Sequence, residues 1–326
     1  MPRPRRRRAL LYFAFALSLG LAPATALAHG APSGRPTVGN LLTAWEFDPL
    51  VIIPLVVAGW AYVSAVRSVN AAHPRSKVPA GRVAYFLCGI GAAAVALMSP
   101  IARYDTDLFS VHMIQHMLLI FVAAPFLLMG APITLLLRVS TPRFRKRVVL
   151  PVLHSGAVRA LSFPVFTWGL LMAVLWATHF SSLFDIALEN VWWHRFEHLT
   201  YVTAAFLFWW PVLGADPSPW RMNHPVRLLY VFLQMPQNSF LSVSIANATS
   251  VIFPHYASVS RSWGPSPLAD QEWAGYIMWV IGDMAFLVVL GALAVGWVRH
   301  EDREARRGDR ARAREKAAAL RAASET

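Results

Sequence analysis

The chain carries a single cysteine, Cys88, among 326 residues, which excludes an internal disulfide and any metal motif built on a pair of thiolates. Charge is also scarce. Asp, Glu, Lys and Arg together make up 14% of the residues against 56% apolar ones, and the mean hydropathy is +0.45. A soluble domain does not carry that balance. Acidic residues are the rarer sign, 17 against 30 Lys and Arg. Catalytic triads, phosphate loops and paired catalytic carboxylates do not stand out, so no enzymatic activity is assigned.

What the chain does have is long apolar runs. Crossing about 30 Å of hydrocarbon takes about 20 mostly apolar residues, and segments near 47–66, 83–99, 110–128, 163–179, 196–213, 228–245 and 273–298 meet that need. The expected fold is all-α: a polytopic membrane helix bundle with seven transmembrane helices after a cleavable signal peptide. Arg3 and Arg5 to Arg8 precede a short apolar run and the small residues Ala26-Leu27-Ala28, the pattern of a secretory leader, with an uncleaved anchor as the alternative. The expected organisation is a signal peptide at 1–28, an outer segment at 29–46, a membrane domain at 47–298 and a basic cytoplasmic tail at 299–326. Cys88 falls inside the second span.

Basic residues give the orientation. Arg67, Arg75, Lys77 and Arg82 follow the first span, and Arg138, Arg143, Arg145, Lys146, Arg147 and Arg159 follow the third, with a further cluster in the tail. The outer side carries only Arg35, Arg103, Arg195 and Arg261. The positive-inside rule therefore places the mature N-terminus outside and the C-terminus in the cytoplasm. The net charge of +13 then reflects contact with anionic membrane lipids and calls for no nucleic acid.

With that orientation His29, His112, His116, His179, His194, His198 and His255 lie at the outer mouth. His112 and His116 are four residues apart at the start of the third span, which puts both imidazoles on one helical face, suited to one ion. His194 and His198 repeat the spacing at the start of the fifth span. His194, beside Trp192 and Trp193, is equally a member of the interfacial aromatic belt. His179 ends the fourth span at the same level, and metal sites in bundles draw ligands from facing helices. His29 would become an N-terminal chelator if the leader is removed. His255, beside Pro254 and Tyr256, reads as a loop histidine in the long outer connection 247–272.

Thioethers favour Cu(I), whereas imidazole also suits zinc, iron and Cu(II). Met113 and Met117, which flank the third-span histidines, are therefore candidate ligands as well as packing residues. Glu197 either orients an imidazole or pairs with Arg195. Asp270 either orients a ligand or caps a helix. Asp283, deep in the last span, either accepts hydrogen bonds from neighbouring helices or titrates in an ion path.

Several of these stretches together resemble the polytopic CtaG family of cytochrome c oxidase assembly factors. They are His112-Met113-Ile114-Gln115-His116, His179 after a tryptophan-rich span, Glu197-His198 before Phe208-Trp209-Trp210-Pro211, and Asp270-Gln271 followed by Gly275 and Met278-Trp279. The resemblance runs from about Trp45 to Trp297. It implies a seven-span protein of the bacterial plasma membrane that matures caa3-type oxidase by handling copper, with oxidase subunits as partners. It also implies that His112, His116, His179 and His198 are the pattern residues, supported by Asp270. A metallochaperone of this kind would take copper from the outer side and pass it on by ligand exchange. Two rivals are a copper transporter, with Met235, Gln234, Gln237, Asn238 and Asp283 as inner steps, and a haem protein using histidines on facing helices.

The orientation predicts the behaviour of fusions. Alkaline phosphatase, which matures only outside the cytoplasm, should be inactive when fused after Thr326 and active when inserted in the 247–266 loop; the opposite pattern would invert the topology.

Overall fold

A computed structural model describes residues 34–324, the side chains of 40–42, 311 and 314–324 excepted. The expected leader and cleavage site, and His29, lie outside the described residues. Every ordered element among those described is helical. The frame consists of α1 (Pro49–Ala72), α2 (Ala80–Met98), α3 (Phe109–Met117), α4 (Ala124–Met129), α5 (Pro164–His179), α6 (Leu183–Glu189), α7 (Val191–Leu213), α8 (His224–Phe232), α9 (Gln234–Ala246) and α10 (Pro267–Ser324).

All seven expected segments are helical, yet they differ as membrane elements. Among the described residues, four stretches are long and apolar enough to cross a bilayer: Pro49–Ala72, Ala80–Tyr104, Phe109–Val139 and Pro267–Arg310. A fifth is counted if α5 and α6, bent by 69° at their junction, make one broken span. The others depart from the simple pattern for visible reasons. Helix α7 has 23 residues but opens with His194, Arg195, Glu197 and His198, and the sixth segment is divided at Leu233 into α8 and α9. The last helix does not stop at the membrane boundary. It runs unbroken for 58 residues, about 87 Å at 1.5 Å per residue, so the basic tail continues the last span as a helix to Ser324.

Local chemistry explains the shape of the third segment. Pro125 has no N–H to give to the turn before it, and the backbone at Leu118–Ala123 widens into a π-type turn between α3 and α4. Trp209 on α7 donates its indole Nε1–H to the Ile120 carbonyl at 2.9 Å, giving this distorted turn a partner where no water is at hand.

The main core lies between α3, α5, α7, α9 and α10, where Met117, Ile120, Leu171, Leu175, Phe208, Trp209, Met278 and Phe286 pack together. Large apolar side chains such as Ile53, Val56, Trp60 and Val288 are exposed on the outside of the bundle, as a lipid-facing surface requires. Helices α9 and α10 approach closely at Gly275, where an added Cβ would lie 2.7 Å from both Ala246 Cβ and its backbone N. At Gly169 on α5 the same atom would meet nothing within 4 Å.

Gly275→Ala should therefore lower the thermal unfolding midpoint of the detergent-solubilised protein. Overpacking costs about 1–3 kcal/mol and outweighs a helix-propensity gain of roughly 1 kcal/mol. Gly169→Ala should be neutral or stabilising. Equal responses from the two variants would contradict the close approach.

Candidate metal centre

Helix α3 begins without a capping side chain of its own, because Leu108 occupies the N-cap position. The cap comes from a distant part of the chain. Asp270, in the first turn of α10, accepts the Phe109 N–H at 2.7 Å, the Ser110 N–H at 3.4 Å and the Ser110 hydroxyl at 2.5 Å. A helix start leaves N–H groups without partners, and a carboxylate there also answers the positive end of the helix dipole. Asp270 thus caps another helix and bonds no imidazole. Its other neighbour is Arg261, whose guanidinium Nη2 lies 3.9 Å away.

With α3 fixed, His112 and His116 face α7, and the two pairs read from sequence meet. His112 Nε2 lies 2.9 Å from His116 Nε2, so one ring donates, the other accepts, and both cannot be protonated at these atoms. The His194 ring lies 5.3 Å from that of His112 and 4.3 Å from that of His198, between centroids. His112 and His116 are 0% and 1% exposed, so they are in the dry interior of the bundle. His194 is buried too and belongs to this cluster rather than to the aromatic belt, where Trp192 and Trp193 remain exposed.

Glu197 is the acidic member. Its Oε2 is 3.8 Å from His112 Nε2 and its Oε1 is 4.0 Å from His116 Nε2. Neither oxygen has a hydrogen-bond partner. The alternative pairing with Arg195 is overturned, because Arg195 reaches Asp48 at 2.6 Å instead. Successive residues on a helix point about 100° apart, and two positions carry the guanidinium out to α1 while the carboxylate turns inward.

Two residues that the sequence reading did not single out hold the cluster from behind. Gln115 donates its amide to Asp105 Oδ2 at 2.8 Å and to the Ala96 carbonyl at 3.0 Å. Its remaining oxygen can only accept, and it lies 2.9 Å from His198 Nε2. His198 therefore carries its proton on Nε2 and keeps a lone pair on Nδ1. Asp105 also stands 3.8 Å from His194 Nε2. Burial holds the Asp105 carboxyl well above the ordinary carboxylate range, against the pull of the Gln115 hydrogen bond. The signal in sequence was a glutamine within an apolar span, one residue before His116.

The remaining candidates are placed differently. His179 donates Nδ1–H to the Leu175 carbonyl at 2.8 Å and sits among Phe109, Phe184 and Phe253. It lies beside the cluster, linked to it by Tyr201, whose ring stacks on His116 at 4.1 Å and whose hydroxyl is 3.5 Å from His179 Nδ1. Met113 and Met117 are buried in the hydrophobic core. Asp283 accepts from Asn238 at 3.2 Å and Ser239 at 2.6 Å, which ties α10 to α9. The connection between α9 and α10 folds back onto the residues that precede α3. His255 Nε2 donates to the Thr106 carbonyl at 3.0 Å, and Tyr256 donates its hydroxyl proton to the Asp105 carbonyl at 2.8 Å.

Donor atoms converge closely enough for a metal ion. His112, His194 and His198 form one group, and His112, His116 and Glu197 another, each with its atoms within 4.8 Å of one another. Two imidazole nitrogens on a tetrahedral ion bound at about 2.0–2.1 Å are about 3.4 Å apart, so the 2.9 Å His112–His116 contact needs to open only slightly.

Asp270→Ala should lower the unfolding midpoint markedly. A lost cap costs about 1 kcal/mol, and the buried Arg261, whose side chain is 4% exposed, would lose its carboxylate, a cost of about 3–5 kcal/mol when a buried pair is broken. An unchanged midpoint would show that Asp270 does not anchor α3.

Residues 60–300 match the family model described as cytochrome c oxidase caa3 assembly factor (Caa3_CtaG). Uncharacterized protein Mb0105 of Mycobacterium bovis is 31% identical over 282 residues, covering 84% of this chain and 42% of that relative. Uncharacterized protein MT0111 of Mycobacterium tuberculosis gives the same figures, 31% over 282 residues, and uncharacterized protein ML1998 of Mycobacterium leprae is 30% identical over the same length. The chain spans less than half the length of these curated relatives. No solved structure matches it. The match over 60–300, which takes in α3, α7 and both histidine pairs, means that the chain belongs to the cytochrome c oxidase caa3 assembly factor family.

Proposed function

We propose that this protein is a seven-span assembly factor of the bacterial plasma membrane that binds copper at its outward-facing His/Glu centre and supports delivery of the ion to a caa3-type cytochrome c oxidase. The observation that carries the reading is the convergence of four imidazoles and one carboxylate, from α3 and α7, in a buried cluster. The nitrogens His112 Nδ1 and His116 Nδ1 and both Glu197 oxygens are buried without hydrogen-bond partners. Polar atoms left so are costly in a dry interior, and a cation coordinated among them would offset that cost.

The donor set bears on the ion. Imidazole with carboxylate suits Cu(II) and zinc, and thioether would favour Cu(I). Since Met113 and Met117 pack in the core, the centre is an imidazole and carboxylate site. Membership of an oxidase assembly family favours copper over zinc as its cargo. The protein's own residues supply binding and position: Gln115 sets the tautomer of His198, Asp270 sets the helix that carries His112 and His116, and Glu197 balances charge.

Seven crossings follow if α5, α7 and the α8–α9 pair are counted as spans. Their polar groups face inward, as His194, Glu197, Gln234 and Asn238 are all buried. Transport of copper through the bundle has one observation in its favour: the Gln234 amide is fully buried with neither of its polar atoms hydrogen-bonded. Asp283, another of the inner steps, is already held by Asn238 and Ser239, and delivery at the outer face is the reading retained.

Detergent-purified protein loaded with Cu(II), Cu(I) or Zn(II) and freed of excess ion should retain copper in stoichiometric amount. The His112→Ala/His116→Ala double variant should lose it. Wild-type protein that retains no copper, or a double variant that retains as much, would defeat the proposal.

A further inference from the structure

The ligand candidates of the centre do not form a single set. They fall into two triads, His112 with His194 and His198, and His112 with His116 and Glu197, and within each triad the donor atoms lie within 4.8 Å of one another. An ion that binds nitrogen and oxygen at about 2.0–2.2 Å holds no two donors more than about 4.4 Å apart. Each triad, drawn in by a few tenths of an ångström, is the size of one coordination sphere. Only His112 is common to both.

The position of His112 suits that double membership. Its ring centroid is 4.3 Å from that of His116 on one hand and 5.3 Å from that of His194 on the other. Its Nε2 meets His116 and Glu197 at 2.9 and 3.8 Å, and its Nδ1 is buried without a hydrogen-bond partner. The triads also have separate support. His198 and His194 are backed by Gln115 and Asp105, whereas His116 is backed by the Tyr201 ring and has Glu197 as its acidic partner. Two dications side by side here would repel strongly in a dry pocket, which favours one ion at a time.

We infer that the centre comprises two adjacent stations for a single copper ion, which pivots on His112. The inference rests on the metal-binding function proposed above. In moving from one station to the other the ion would keep its bond to His112 Nε2, whose ring holds its proton on Nδ1 throughout, while it breaks its bonds to His116 and Glu197 and forms bonds to His194 and His198, with no change in oxidation state. His198 would bind through Nδ1, with its Nε2–H still donated to the Gln115 oxygen. A carrier built this way keeps the ion ligated throughout while releasing ligands in turn.

The test uses copper alone with the full chain: wild type, His116→Ala, His194→Ala and the His116→Ala/His194→Ala combination, each shown by size exclusion and helicity to be folded. Copper per chain is measured, and the Cu(II) electron paramagnetic resonance spectrum identifies the ligand field. Wild type should bind one equivalent. Each single variant should still bind one, with spectra that differ from each other because the surviving triads differ, and the combination should lose copper. Complete loss in either single variant would overturn the inference in favour of one fused site, and two equivalents in wild type would overturn it in favour of a dinuclear centre. Wild type that binds none would instead remove the metal-binding function on which the inference rests.

Discussion

The grip of the Asp270 carboxylate on the first turn of α3 is the interaction on which the rest of the centre depends. A helix that starts inside a membrane protein must place its free N–H groups on some acceptor, because hydrocarbon offers none. Leu108 cannot provide it, and Asp270 does so from the first turn of the last helix. A second helix start further along the same apolar segment is treated alike: where a helix begins at Pro132, Asp216 accepts the N–H groups of Ile133 and Thr134 at 3.0 and 2.6 Å. Two buried acids from elsewhere in the chain thus hold two helix starts within the 109–139 segment. Its azimuth is set, and with it the face that shows His112 and His116 to α7.

Once α3 and α7 face each other, a polar centre arises in otherwise apolar packing. The cluster sits under Phe109, Phe184, Phe253 and Tyr256, all buried and in mutual contact, and the loop bearing His255 is hydrogen-bonded across the top. Imidazole is the suitable group for such a place, since it can be a strong ligand while neutral. A carboxylate is more expensive there, and Glu197 stands among histidines rather than arginines. The aromatic cover keeps competing water away.

Much of this could be read from the chain. The two four-residue histidine spacings announced their helical faces, and apolar runs announced the helices that carry them. The role of Asp283 was left open between pairing and an ion path, and its bonds to Asn238 and Ser239 give it a structural partner. Other features were not legible. Asp270 acts across 161 residues of sequence, and nothing local distinguishes a carboxylate that caps its own helix from one that caps another. The turn of Arg195 outward to Asp48 and of Glu197 inward depends on which side of α7 meets α3. Gln115 and Asp105 gain meaning only when His198 and His194 arrive beside them.

By itself, then, the sequence determined the helical class, the apolar segments, the level of the histidines and the family, because periodicity, hydropathy and short motifs are local properties of a chain. The tertiary structure decided which histidines touch, which carboxylate joins them, where the sixth segment breaks and how far the last helix extends. Those outcomes depend on the rotation of each helix about its axis, and that rotation is set by side chains such as Asp270, Trp209 and Gly275 meeting partners far away in sequence.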